Sequence, residues 1–220
     1  MGVLNWFRQL GFTSKEKRHK YVGHPTLWKM KQQFQIAFLK AQNLNPENTL
    51  LDIGCGTLRG GIPIIRFLNA GNYTGIDVRK EVLEEGKKEL KEENLELKHP
   101  TLISFSNFES FILENKFDVV FCFSVLFHME DKIVAGCFQF VKEHLNTDGV
   151  FFANVKINKY KLDGNWQGFP VVSRPIEFYE ELAKNAGLKI TTLGTLKSLG
   201  HNSGVEIQDN QIMLKLQRII

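Results

Sequence analysis

Between residues 26 and 43 the apolar side chains Leu27, Met30, Phe34, Ala37, Phe38 and Ala41 recur at steps of three and four. That spacing predicts an amphipathic helix, with Thr26 as its N-cap. After a loop at Asn45-Pro46-Glu47-Asn48, short apolar runs alternate with mixed segments. Strands are predicted over 49–53, 73–76 (ending at Asp77), 102–106, 117–123, 150–157, 188–199 and 211–219. Helices are predicted over 60–68, 80–93, 108–113, 130–144 and 175–186, the last with Pro175 at its first position and Gly187 as its C-terminal cap. Residues 158–174, with Gly164, Trp166, Gly168 and Pro170, read as an irregular insertion, and 200–204 as a turn. Strands alternating with helices imply a parallel, doubly wound sheet. The final two strands have no helix between them, which adds a hairpin. The fold class is therefore α/β: a mostly parallel, seven-stranded sheet with its last strand antiparallel, preceded by a helical cap.

Composition narrows the class without naming a function. A chain of 220 residues suits one domain, here 46–220, with 1–45 as the cap. Hydrophobic content of 43% with 24% charged residues is that of a soluble globular protein. A net charge of +4 is too small to argue for nucleic acid as a partner. The 18 Phe fall mostly inside apolar runs and read as core. Cys55, Cys122 and Cys137 are odd in number and match no metal spacing, so they read as reduced thiols in a cytoplasmic protein. No apolar run reaches 18 residues, so no membrane span is expected. The start lacks a basic stretch followed by an apolar one, so no secretion signal is expected. Trp6, Phe7 and Leu10 would line one face of a short helix. The charged run 13–20 reads as a solvated stretch.

Chemistry concentrates in Leu50-Leu51-Asp52-Ile53-Gly54-Cys55-Gly56-Thr57-Leu58-Arg59-Gly60-Gly61. A buried strand ends in a carboxylate and breaks into glycines before a helix. Glycines let backbone approach a ligand, and the helix start offers free N–H groups. The dinucleotide fingerprint would want a glycine where Arg59 stands. Asp77 closes the next strand, where a carboxylate can accept both hydroxyls of a ribose. NAD and S-adenosylmethionine (SAM) both carry that ribose, so Asp77 does not separate them. The plain alternative for Asp77 is a helix-capping role. For Arg59 it is a surface position, against a contact to a cofactor carboxylate or an anionic substrate.

Over about residues 48–157 the sequence resembles the class I SAM-dependent methyltransferases, which have a Rossmann-like domain. Asp52-Ile53-Gly54-Cys55-Gly56-Thr57 is similar to that family's first motif and Gly75-Ile76-Asp77 to its second. Ser106-Asn107-Phe108 falls where the family meets adenine. The stretch from Phe117-Asp118-Val119-Val120 to Ser124-Val125-Leu126-Phe127-His128 looks like its fourth motif, and Leu145-Asn146-Thr147-Asp148-Gly149-Val150 like the turn into its fifth strand. The resemblance implies SAM as cofactor, with S-adenosylhomocysteine (SAH) as product and no metal. It implies that Asp52 holds the glycine loop or meets the methionine ammonium. Gly54, Cys55 and Gly56 would admit the cofactor along their backbone, and Asp77 would bind the ribose. Val78 would pack on adenine, Asn107 or the Phe108 N–H would bond it, and Ser124 would face the methionine portion. Asp118, at the start of its strand, is expected to be structural.

A base is needed only where the nucleophile starts protonated. His128 is the candidate, since it follows a strand on the ligand-binding side and titrates near neutrality; its plain alternative is packing or capping. Tyr21, His24, Trp166 and Arg174 are candidate substrate contacts, with a surface or lid role as the alternative. Aromatic rings beside basic groups suit a sugar, a nucleotide-sugar or a phosphorylated cell-surface precursor. The Asn-Pro-Pro-Tyr type of motif found in amino-group nucleic-acid and protein methyltransferases is absent after the fourth strand. The leading expectation is O-methylation of a small polar metabolite. Its rivals are RNA or protein methylation, an NAD-dependent oxidoreductase, and an inactive SAM-binding partner protein.

Overall fold

The computed structural model describes residues 13–219; the expected helix face at Trp6, Phe7 and Leu10 lies outside them. The chain opens with α1 (Ser14–His19), capped by Thr13, whose side chain accepts from the Glu16 amide while Glu16 bonds back to the Thr13 amide. Such a reciprocal box satisfies two N–H groups that a helix start leaves free. Two short 3-10 turns follow, Lys20–Val22 and Pro25–Leu27. The second replaces the first turn of the expected helix: Thr26 is not the cap, because its amide bonds His24 Nδ1. The helix proper is α2 (Trp28–Ala41).

Alternation then proceeds through β1 (Leu50–Ile53), α3 (Gly61–Phe67), β2 (Tyr73–Asp77), α4 (Lys80–Glu92), β3 (Thr101–Ser104), β4 (Phe117–Cys122), α5 (Asp131–His144) and β5 (Leu145–Val155). The sheet order is β3-β2-β1-β4-β5-β9-β8, where β8 is Leu188–Thr195 and β9 is Ile212–Arg218. Strands β1 to β5 pair in parallel, and β9 runs antiparallel to both β5 and β8. The last strand thus inserts between β5 and β8, beside the wide central strands.

Strand side chains alternate between faces. Leu51, Ile53, Val120 and Cys122 enter one core with Phe138, Val141 and Tyr179, from α5 and from α6 (Ile176–Asn185). Leu50, Val119 and Phe121 enter a second core with Phe34 and Phe38 of α2, Ile62 and Ile65 of α3, and Leu83 of α4. By that alternation Asp52 belongs to the second face, beneath α2 and α3. Asp118 is structural, as read: it accepts from the Thr49 amide and hydroxyl and from Asn146 Nδ2.

Two segments differ from expectation. No helix forms over 108–113; Phe105, Phe108, Phe111 and Phe140 stack on one another, and Asn107 Oδ1 captures the Ser110 amide. Aromatic packing and a local side-chain turn outcompete the helix there. Residues 158–174 are not irregular but hold a hairpin, β6 (Lys161–Trp166) with β7 (Phe169–Ser173). Its two turn residues, Gln167 and Gly168, both have positive φ, 51° and 88°, the condition for a turn that matches strand twist. Pro175 precedes α6 as its N-cap rather than its first residue, and Gly187 takes the left-handed φ of 66°. A short helix, α7 (Glu206–Asp209), follows the 200–204 turn.

Candidate active site

A cavity of about 590 Å³ opens at the carboxyl ends of β1, β2 and β4, where the strand order reverses and open α/β sheets bind ligands. Asp52, Gly54, Cys55, Arg59, Asp77, Val78, Asn107, Phe108, Ser124, His128 and Trp166 all line it. The first wall is acidic. Asp77 is buried; its Oδ2 accepts from the Gly56 amide at 3.1 Å and its Oδ1 from the Arg79 amide at 2.9 Å. The Arg79 guanidinium also pairs with it, Nε to Oδ1 at 3.2 Å. Asp77 therefore caps the next loop and faces the cavity at once. Asp52 Oδ2 accepts the Tyr73 hydroxyl at 2.7 Å. Burial pushes the Asp52 carboxyl up to about 7; the Tyr73 hydrogen bond opposes this, nearby Asp77 adds to it, and Arg59 works against it.

The turn between them needs its glycines. Gly54 (φ 72°) and Gly56 (φ 57°) sit in the left-handed region, which other residues enter only at a cost. A Cβ on Gly54 would collide with Val125, and one on Gly56 with Val22. Gly56 does not line the cavity; it lies under the N-terminal segment, and its backbone amide holds Asp77. Cys55 is buried with its thiol against Gly75, so its contribution to the cavity wall is mainly backbone.

That N-terminal segment is a cover over the turn. Arg59 Nη1 donates to the Val22 carbonyl at 2.5 Å, Arg79 Nη1 to the Tyr21 carbonyl at 3.2 Å, and Gln167 Nε2 to the Lys20 carbonyl at 3.1 Å. Gln167 Oε1 accepts from Arg79 Nη1, so the hairpin tip and the cover share one cation. Below, Arg18 and His19 of α1 bond Glu89 of α4, and His19 stacks on Trp28 at 3.4 Å.

Ser124 adopts φ 61° and donates its amide to Asn154 Oδ1 at 2.6 Å, which fixes the loop after β4. His128 Nδ1 lies 3.0 Å from the Pro170 carbonyl. A carbonyl only accepts, so that nitrogen carries the proton and Nε2 keeps its lone pair. Burial holds the His128 pKa below its usual value, with the Pro170 bond opposing it and Arg79 and Lys156 adding to it. Trp166 packs 5.1 Å from the imidazole. Asn107 spends its Oδ1 on Ser110, leaving Nδ2 bonded only to Ser106 Oγ at 3.3 Å.

Three expected substrate contacts lie elsewhere. Arg174 is fully buried outside the cavity; it donates to Asp131 Oδ1 and the Met129 carbonyl and stacks on Phe178. Its basic charge is spent tying β7 to the loop before α5. His24 is exposed and bonds Thr26 within its own turn. The Tyr21 ring is 40% exposed and only its carbonyl reaches the cover. Sequence reading missed Lys31 and Gln35 of α2, and Gln208 and Gln211, all of which line the cavity. The available signal was the polar pair Lys31 and Gln35, four apart and sharing the buried face of Phe34 and Phe38. Among the described residues no group of three or more His, Cys, Asp or Glu is placed to hold a metal ion, and no helix is long and apolar enough to cross a membrane.

A family model for a methyltransferase domain matches residues 51–151. No curated protein matches the chain in sequence. Among solved structures, the chain is similar to magnesium protoporphyrin IX methyltransferase from Synechocystis PCC 6803 with bound SAM, at 16% identity and a TM-score of 0.66, covering 100% of this chain and 92% of that one. It is also similar to a SAM-dependent methyltransferase from Clostridium acetobutylicum ATCC 824, at 16% identity and a TM-score of 0.64, covering 98% of each. The glycopeptide N-methyltransferase MtfA shares 14% identity and a TM-score of 0.66, over 86% of this chain and 90% of that one. The methyltransferase-domain match thus runs from the glycine turn into β5, and the fold is that of the SAM-dependent methyltransferases to which the chain is similar.

Proposed function

We propose that the acidic wall of the cavity holds SAM and that the chain transfers its methyl group to a hydroxyl oxygen of a small polar metabolite. The observation that carries this reading is the pair of buried carboxylates, Asp52 and Asp77, at the ends of adjacent strands and flanking a left-handed glycine turn. Asp77 suits a ribose diol, because its carboxylate faces the cavity while Gly56 and Arg79 fix its orientation. Asp52 suits the methionine ammonium, Val78 and Phe108 the adenine faces, and Asn107 Nδ2 an adenine nitrogen. SAM, when bound, supplies a methyl group activated on a sulfonium.

The protein supplies position and proton handling. Ser124 and the loop after β4 bound the methionine end. Trp166 and Phe169 offer aromatic surface to a sugar-like acceptor, and Gln35, Gln208 and Gln211 offer amides to its hydroxyls. His128 Nε2, neutral at pH 7, takes the hydroxyl proton as general base; such proton transfer contributes about 10²–10⁴-fold. The helices before residue 45 act as the cap over this site, which turns away water.

Calorimetry with SAM, SAH and NAD tests the cofactor assignment: SAM and SAH should bind, and NAD binding without SAM binding would overturn it. Labelled methyl from SAM should enter an oxygen position in small-metabolite extracts. Transfer to RNA or protein alone would replace the acceptor assignment. His128→Ala should lower kcat about 10²-fold or more and remove its dependence on the histidine ionisation; an unchanged kcat and pH profile would dismiss the base.

A further inference from the structure

We propose that Lys31 and Arg59 form an anion-recognition subsite for the methyl acceptor, so that the acceptor carries a carboxylate or phosphate group beside the oxygen that is methylated. This rests on the cofactor assignment above and extends it to the opposite wall of the same cavity.

Both cations are at least nine-tenths buried and both line the cavity. The Lys31 ammonium has no hydrogen bond or ion pair among the described residues; Arg59 disfavours its charge and Asp209 favours it, the latter more weakly. Asp209 is already engaged by His201 and Ser203. Arg59 spends one nitrogen on the Val22 carbonyl, and its buried Nε has no partner among the described residues. Gln208, on the same wall, likewise holds a buried, unpartnered Oε1. A buried charge without a partner costs several kcal/mol, and proteins keep such costs where a ligand removes them. Consistent with that strain, burial and the Arg59 charge bring the Lys31 amine down to about 7.

Charge balance assigns the missing anion to the acceptor. SAM brings a sulfonium and an ammonium against a single carboxylate. Asp52 is taken by the ammonium, and Asp77 is shared between Arg79 and the ribose. The cofactor's carboxylate would have to bridge both cations to answer them alone. An anionic group on the acceptor would answer the other cation and hold Lys31 in its charged form.

The test uses the full chain saturated with SAH, so that the cofactor's own carboxylate is already in place, titrated calorimetrically with inorganic phosphate. Wild type should bind phosphate, and Lys31→Gln should bind it at least tenfold more weakly while its SAH affinity stays within threefold. Lys31→Met should raise Tm, because it removes an unpaired buried charge; that readout shows the variants are folded. Equal phosphate binding by wild type and Lys31→Gln would overturn the proposal. So would a tenfold loss of SAH affinity in Lys31→Gln with methylthioadenosine binding unchanged, since the cations would then serve the cofactor's carboxylate. Failure of wild type to bind SAH would instead defeat the cofactor assignment, and phosphate titration of the free protein would still read the subsite.

Discussion

The two walls of the cavity are assembled in opposite ways. The acidic wall comes from the ends of two neighbouring strands, β1 and β2, with its glycine turn in one unbroken stretch of sequence. Its two carboxylates are already bonded to protein: Tyr73 to Asp52, and Gly56 and Arg79 to Asp77. The facing wall draws Lys31 and Gln35 from α2, His128 from the loop after β4, Trp166 from the β6–β7 hairpin and Gln208 from α7. The Lys31 ammonium and the buried Gln208 Oε1 have no partner among the described residues. The carboxylates of one wall are fixed in advance, as the proposed cofactor site needs; the other wall is held together by long-range packing.

Gly56→Val should break the preorganised wall most severely. A β-branched residue cannot take φ 57° without strain of about 1–3 kcal/mol, and its Cβ would drive into Val22, where overpacking adds about 1–3 kcal/mol. SAH binding should be abolished in calorimetry and Tm should fall. Retained affinity would mean that the turn does not shape the cofactor site.

Asp52→Asn separates the function of this wall from its stability. The wild-type carboxyl titrates at about 7 in the folded protein against 3.8 for its ordinary value. Between those values the folded state holds a proton that the unfolded state has released, so stability falls as pH rises through the window. By linkage the loss is on the order of 4 kcal/mol once pH exceeds 7. Asn keeps an acceptor for Tyr73 and does not titrate. The Tm advantage of the variant should therefore be small near pH 4, grow up to pH 7 and level off above it. A constant difference across thermal melts from pH 4 to 8 would show that Asp52 is charged throughout.

The difference between the walls also explains what could be read from sequence. Asp52, Gly54 and Asp77 are legible because strand, turn and carboxylate are consecutive, and because strand alternation fixes which face each residue takes. The antiparallel final strand was legible from the closeness of the last two strands, whereas the short α7 between them was not. The facing wall is set by packing that no local pattern encodes. Lys31 looks like a solvated charge until Phe34 and Phe38 turn its helix face inward. Arg174 looks like a ligand group until Asp131, Met129 and Phe178 enclose it. The helix expected at 108–113 loses to the packing of Phe105, Phe108 and Phe111 on one another and on the remote Phe140. The hairpin at 161–173 was partly legible, since Gly168 beside Gln167 supplies the turn, but its register depends on contact with the loop after β4.

Asp77→Ala probes how the acidic wall joins the cover. It removes the acceptor for the Gly56 amide and frees Arg79, which also holds the Tyr21 carbonyl and Gln167. Hydrogen bonds to a charged group are worth about 1.5–3 kcal/mol, so SAH affinity should fall about ten- to a hundredfold. Hydrogen exchange of residues 20–23 should quicken in the same variant. Unchanged exchange would show that the cover is held by Arg59 and by the ion pairs of α1 alone.

The smallest effect should come from the second buried arginine. Arg59 and Arg174 are both buried and each leaves one nitrogen without a partner, yet Arg59 borders the cavity, while Arg174 bonds Asp131 and Met129 and stacks on Phe178 outside it. The side chain of Asp131 is about half exposed at 48%, so water can replace part of what Arg174 gives it. Arg174→Lys keeps the charge and loses the planar fork and the stacking, and should cost about 1–2 kcal/mol in denaturant melts. SAH affinity should remain within twofold. A tenfold loss of SAH affinity at constant stability would return Arg174 to the ligand wall and erase the contrast with Arg59.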